Sequence, residues 1–214
     1  KRRCPGHAML KRAPNCFVGA DYDTNKPELI ELIDGGDVPT QRVGAICLGR
    51  LAQDTGDQEV IDRLVTLTGS RNGAVRAAGL RAMGMVARST CDERLTETCF
   101  DAIPKGECRR AAYEAIGDLY AGSGRSDIFR RLSGEARSLK SMPARRVANK
   151  SLAACYRAVG AVYRGTGSSD PFIYLVEILS LPEKQGHDVY RRAAAQALVD
   201  VEFAEAAPRI LPRR

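Results

Sequence analysis

The 214-residue chain is long enough to bury a substantial core, and with 44% hydrophobic and 28% charged residues it has the composition of an ordinary soluble globular protein. Tryptophan is absent and only 6% of residues are aromatic, which disfavours an all-β fold. The net charge of +7 allows nucleic acid, anionic lipid or an acidic protein as a partner, and no apolar run is long enough to span a membrane.

Residues 1–26 are predicted to form a basic N-terminal arm. It contains two basic clusters, at 1–3 and 11–12, which could contact phosphates or lipid headgroups. The alternative is a loosely tethered terminus. Cys4, His7 and Cys16 offer three zinc ligands without a fourth, so a Cys4–Cys16 disulfide is the favoured reading and no metal is assigned. The sequence begins with Lys1 and not with Met, as expected of a processed form, and a removed signal or anchor is compatible with it.

Five copies of one helical pattern occupy residues 27–214. In each copy a large aliphatic residue, here called the anchor, follows small or apolar residues at positions −1, −4 and −5, which share one helical face. The face is rich in Ala, Gly and Cys, so we expect another helix to press closely against it. The anchors recur every 33 to 43 residues: Leu48, Met83, Ile116, Val159 and Leu198.

A second, shorter amphipathic helix is predicted after each of the first four anchors. An Asp precedes every one of these segments and is placed to accept bonds from the free N–H groups of the first turn. A further helix is predicted from Pro27 and a last outer helix at 203–211. The predicted N-caps are Asp57, Asp92, Asp127 and Asp170.

Two runs resemble the first helix of a HEAT repeat, particularly the short subtype first described in phycobilin lyases: VRAAGLRAMG at 75–84 and VYRRAAAQAL at 189–198. The resemblance covers about residues 27–212. It implies an all-α fold, an α-solenoid of about five to six helical hairpins stacked in a right-handed arc. It also implies that the second helices line a concave surface suited to a protein segment or helix.

Arginine stands seven residues before three anchors, at Arg76, Arg109 and Arg191. These residues could form a ladder for phosphates. The resemblance implies instead that they pack along the neighbouring repeat and pair with acidic residues. Gln41 and Leu152 occupy the same position in the other two copies, which weakens a regular nucleic-acid code.

The longest interval between anchors contains a basic insertion at about 133–149. Pro143 is expected to break any helix there, and insertions in repeat proteins form loops on one face, often the binding face. The alternative interpretation of the insertion is a solvated linker. The insertion contains one acidic residue, Glu135, and the predicted partner-binding residues Arg137, Lys140, Arg145 and Arg146.

The seven cysteines divide by position. Cys47, Cys108 and Cys155 lie where sister copies have Ala and are predicted to be small buried hydrophobes. One disulfide is conceivable among Cys91, Cys99 and Cys108. Two bridges and three buried thiols would fit an exported protein, so a periplasmic or secreted location is slightly favoured over the cytoplasm.

No catalytic constellation is visible, since the two histidines lie at opposite ends of the chain and no nucleotide, metallopeptidase or hydrolase motif is present. The sequence therefore predicts a non-catalytic interaction scaffold or structural subunit without a cofactor. Its partner would be an acidic or helical protein segment bound on the concave helices or the basic insertion. A nucleic-acid binder, similar in fold and charge to HEAT-like DNA glycosylases, is the first alternative, and a lyase-type enzyme the second.

Overall fold

The computed structural model describes residues 21–141, 146–180 and 188–200. Within these ranges helices joined by short loops are the only regular secondary structure, and there is no strand. The helices are α1 Tyr22–Gly35, α2 Val38–Leu51, α3 Gln58–Thr68, α4 Gly73–Val86, α5 Glu93–Ala102, α6 Arg109–Leu119, α7 Ser126–Ser141, α8 Arg146–Val162, α9 Ser169–Leu179 and α10 Asp188–Asp200.

The chain divides into two compact units, with the division between Ala115 and Ile116, inside α6. In the first unit α1 packs on α2, α2 and α3 pack on α4, and α3 contacts α5. In the second unit α7 packs on α8, α8 and α9 pack on α10, and α8 contacts α9. This sequential packing confirms the predicted fold class, an all-α solenoid-like fold.

Even-numbered helices carry the five anchors and are here called inner helices; odd-numbered helices are called outer helices. Each outer helix from α3 to α9 begins ten residues after an anchor, at Gln58, Glu93, Ser126 and Ser169. The outer helix packs mainly against the inner helix that follows it, so the half-repeat predicted from Pro27 is the outer helix of a hairpin with α2.

Consecutive inner helices approach each other through glycine at position +1 and a small residue at position −1. A Cβ atom built on Gly49 would lie 2.6 Å from the Cα of Ala82, and one on Gly84 would lie 2.7 Å from the Cα of Ala115. In the second unit the corresponding distances are 3.1 Å for Gly117 and Ala158 and 2.8 Å for Gly160 and Ala197. Only glycine at +1 lets the backbones come this close.

The loops after the first four inner helices share one backbone conformation at two positions. Residues at positions +6 and +8 have positive φ, which glycine adopts most easily. In two loops the backbone N–H groups of these residues donate to the end of the next inner helix within the same unit. The donor–acceptor distances are 3.1 Å for Asp54 N to Met85 O, 3.0 Å for Gly56 N to Val86 O, and 2.9 Å for both Gly122 N to Ala161 O and Gly124 N to Val162 O.

Two of the four predicted N-caps are correct. Asp57 accepts from Val60 N at 3.1 Å, and Asp92 accepts from Leu95 N at 3.1 Å. Asp127 and Asp170 do not cap, because they lie at position +11, inside the first turn. Ser168 is the N-cap of α9. An acidic side chain in the first turn still interacts favourably with the helix dipole. An Asp therefore stands near the start of all four helices, although only two of these residues are N-caps.

The predicted boundary of the N-terminal arm, after residue 26, falls inside α1. The helix begins at Tyr22, so Pro27 is not in its first turn. Contacts with the next hairpin hold this end of α1: the Tyr22 hydroxyl donates to Asp57 at 2.5 Å, and Lys26 Nζ lies 2.8 Å from the same carboxylate. Cys4, Cys16, Arg145 and the predicted last outer helix lie outside the described residues.

Candidate interaction surface

The basic insertion is mostly helix and not a loop, so the prediction of a loop at 133–149 is wrong. Helix α7 continues to Ser141, and α8 begins at Arg146. The reason is that apolar residues keep the helical period through the segment: Leu132, Ala136 and Leu139 are all buried. The insertion therefore lengthens an outer helix by about one and a half turns.

Of the four predicted partner-binding residues, the structure places Arg137 and Lys140 together on α7. Both are exposed, and they lie four and seven residues after Ser133, hence on one helical face. Neither forms an ion pair with another described residue. Arg146 is the first residue of α8, and Arg145 precedes it outside the described ranges.

Burial has the largest effect on the charge of Lys140. Partial burial of the side chain and the positive charge of Arg137 lower the pKa of Lys140, while Glu177 of α9 opposes the shift. The protonated ammonium is therefore less favourable here than in water. An anion brought to this face would stabilise it.

An aromatic cluster lies beneath the same region of the second unit. The ring of Phe129 meets Tyr163 and Tyr174 edge to face, with centroid distances of 5.6 Å in both cases. Tyr156 and Tyr174 follow at 6.1 Å. Edge-to-face aromatic pairs add about 0.5–1.5 kcal/mol each beyond area burial, so the cluster fixes α7, α8 and α9 relative to one another.

Two hydroxyl groups of the second unit are buried, the Oγ atom of Ser133 and the phenolic oxygen of Tyr174. Burial raises the pKa of Tyr174, with Cys155 and Glu177 adding to the effect, and Arg137 and a hydrogen bond with Ser133 opposing it. Sequence patterns do not identify these groups, because their environment depends on how α7 and α9 pack.

The cysteines of the described ranges are free thiols, so the conceivable disulfide among Cys91, Cys99 and Cys108 is absent. Cys91 and Cys108 lie at opposite ends of α5, a helix of ten residues and thus roughly 15 Å long. Cys99 is fully buried, and this burial raises the pKa of its thiol.

The prediction of buried small hydrophobes is confirmed for Cys47, Cys108 and Cys155. Two of these thiols also contact backbone carbonyl groups. The Sγ atom of Cys155 lies 3.3 Å from Leu132 O, and that of Cys108 lies 3.8 Å from Gly73 O. Burial and the charge of Glu135 raise the pKa of Cys155, which disfavours a reactive thiolate.

The arginines at position −7 bond to the preceding outer helix or the turn after it. Arg76 donates to Ser70 O at 2.7 Å, and Arg109 donates to Ile103 O at 3.1 Å. Arg76 also pairs with Glu107, close to the next inner helix. Carbonyl groups left free at a helix end are thereby satisfied, so these two guanidinium groups are committed within the fold and do not form a free phosphate ladder.

The described residues contain no group of His, Cys, Asp and Glu side chains that could hold a metal ion. None of their helices has both the length and the apolarity that a membrane span requires. Neither a protein-family model nor a curated protein matches the chain. The class of protein that the described residues define is thus an all-α, solenoid-like protein with a cation-rich outer helix.

Proposed function

We propose that the protein is a non-catalytic interaction scaffold, or a structural subunit of a larger assembly, whose outer helix α7 binds an acidic segment of a partner protein. The observation that carries the proposal is the pair Arg137 and Lys140, two exposed cations one turn apart that form no salt bridge with a described carboxylate. The resemblance to HEAT repeats favours the same surface, since it implies partner binding by the outer helices.

The charge of α7 supports an anionic partner. Its four cationic side chains, Arg130, Arg131, Arg137 and Lys140, are all exposed and outnumber its two carboxylates. One of these carboxylates, Asp127, already pairs with Arg125 at 2.7 Å. Charges at the rim of an interface mainly set the association rate and its salt dependence, so binding should weaken as ionic strength rises.

The packing of this region supports a binding surface that is ordered before the partner binds. The edge-to-face contacts among Phe129, Tyr163 and Tyr174 hold the basic face in one arrangement before a partner arrives. A surface that is already ordered loses little conformational entropy on binding. No cofactor is needed for this role.

The test uses the full chain and a fluorescein-labelled Glu-rich peptide, with binding followed by fluorescence anisotropy at low and physiological salt. The double variant Arg137→Glu/Lys140→Glu is expected to lose at least about tenfold in affinity, since two attractive charges become repulsive. The control Arg71→Glu/Lys105→Glu makes the same charge change at exposed cations of the first unit. Equal loss in both variants would overturn the proposal. Duplex DNA that outcompetes the peptide would favour the nucleic-acid alternative.

A further inference from the structure

The first inner helix, α2, differs from the later inner helices at two positions of its exposed face. At position −5 it has Val43, where the later copies have Ala78, Ala111, Ala154 and Ala193. At position −2 it has Ile46, where the later copies have Arg81, Glu114, Arg157 and Gln196. The first copy is thus larger at position −5 and more apolar at both positions.

The burial of these positions is opposite to what their apolarity would suggest. Val43 is 40% exposed, whereas the alanines at its position are between 0% and 5% exposed. Position −5 shares a helical face with position −1, which in later copies packs against the preceding inner helix. In α2 position −1, Cys47, is buried, whereas position −5, Val43, is exposed.

The uncovered face of α2, here called the α2 end face, comprises Pro39, Val43, Ile46 and Arg50. Their spacing of four, seven and eleven residues places them on one side of the helix. Pro39, Val43 and Arg50 are exposed, and Ile46 is partly exposed. Val38 flanks the face, so two of the four exposed large hydrophobic residues of the described ranges, Val38 and Val43, belong to this one helix.

The charges on this face are unbalanced. Arg42 and Arg50 form no ion pair with the described residues, and α2 contains no acidic residue. The later inner helices differ, since Arg81 lies 2.5 Å and Arg110 lies 2.7 Å from Glu114. A helix that covers the α2 end face would therefore be expected to supply carboxylates as well as apolar side chains.

We propose that the α2 end face binds an acidic amphipathic helix of a partner protein, which packs along the exposed side of α2. Val43 and Ile46 contact the apolar side of the partner helix, and Arg42 and Arg50 pair with its carboxylates. This site is separate from the basic face of α7 and does not depend on it.

Charge and side-chain size argue against two other occupants. Residues 1–20 of this chain contain five Lys and Arg and no acidic residue, so they carry the same sign of charge as Arg42 and Arg50. A second copy that packed its α10 on α2 would bring Val199 to position +1, where the other inner helices have glycine. The Cβ of a valine excludes the 2.6 Å approach seen between Gly49 and Ala82.

The probe is a labelled peptide of about three helical turns or more, with leucine on one face and glutamate on the other, compared with a scrambled peptide of the same composition. Fluorescence anisotropy with the full chain should show binding of the amphipathic peptide and at least tenfold weaker binding of the scrambled one. Val43→Asp and Arg42→Glu/Arg50→Glu should each weaken binding at least tenfold. Circular dichroism of each variant checks that the helices remain folded.

The variant Arg137→Glu/Lys140→Glu should leave this affinity unchanged, and Val43→Asp should leave binding of the Glu-rich peptide to α7 unchanged, so the two proposals fail independently. Equal binding of both peptides would overturn the inference. In the variant Val43→Cys, the new thiol should react with iodoacetamide in the free monomer and be protected by the amphipathic peptide. Protection in the free monomer would assign the face to the chain itself, and concentration-dependent protection would assign it to a second copy.

Discussion

The Cα atom of Ala82 lies only 2.6 Å from the place where a Cβ atom of residue 49 would be, so Gly49 and Ala82 mark the closest approach of α2 and α4. Because the obstructing atom belongs to the backbone, it cannot move aside as the end of a flexible side chain could. The same relationship recurs between Gly84 and Ala115 within the first unit.

Replacement of Gly49 by alanine should therefore lower the free energy of unfolding by about 1–3 kcal/mol, the usual cost of overpacking a close interface. Urea denaturation followed by circular dichroism measures the change. Gly134→Ala is the matched control, because no atom lies within 4 Å of a Cβ at that exposed position of α7. There the free energy of unfolding should rise by about 0.5–1 kcal/mol, since alanine loses less entropy in a helix than glycine. A neutral Gly49→Ala would contradict the close packing.

The carboxylate of Asp57 should make stability depend on pH in the acid range. Burial alone would raise its pKa, but bonds from Lys26, Tyr22 and the N–H of Val60 outweigh this and lower the pKa from 3.8 to about 2. A pKa depressed in the folded state means that the contribution is present above pH 4 and is lost as the pH falls toward 2. Its full size is about 2 kcal/mol.

Asp57→Asn should therefore destabilise the protein at pH 7 by about 2 kcal/mol and flatten the fall in stability between pH 4 and 2. Urea titrations at several pH values provide the measurement. Asp127→Asn is the comparison, because the pKa of Asp127 is also lowered to about 2 but its partner Arg125 is exposed, so solvent screens the pair. A larger effect for Asp127 than for Asp57 would contradict this account.

Cys91 has φ of 55° at position +8, where the other three loops have glycine. A side chain in the left-handed region costs about 1–2 kcal/mol, partly offset by the lower entropy of a non-glycine residue in the unfolded chain. Cys91→Gly should then raise the free energy of unfolding by up to about 1 kcal/mol. The converse change, Gly167→Ala, should lower it by about 1 kcal/mol, since φ there is 65° and no atom obstructs the Cβ. Thermal unfolding of both variants measures the change in Tm. Shifts of the same sign in the two variants would contradict the proposed cost of a side chain in the left-handed conformation.

Sequence reasoning succeeded where local chemistry repeats. The anchors and their small neighbours could be recognised because close helix packing demands Ala or Gly at fixed intervals, as at Gly49 and Ala82. Asp57 and Asp92 were likewise recognisable as caps. Asp127 and Asp170 were misplaced because an acidic residue is favourable both at the N-cap and in the first turn, and composition does not separate the two.

The candidate surfaces were less predictable. The basic residues of α7 were identified, but Pro143 and the long interval between anchors suggested a loop, although Leu132, Ala136 and Leu139 keep the helical period. The exposure of Val43 could not be predicted from the sequence, because it depends on whether another inner helix packs on α2. The buried hydroxyl groups of Ser133 and Tyr174 depend in the same way on tertiary packing.

Two of the loops that follow inner helices join neighbouring hairpins within a unit. Asp54 and Gly56 donate to carbonyl groups of α4, and Gly122 and Gly124 donate to carbonyl groups of α8. These hydrogen bonds are lost whichever of the two hairpins detaches. Neighbouring hairpins within a unit should therefore unfold together and not one at a time.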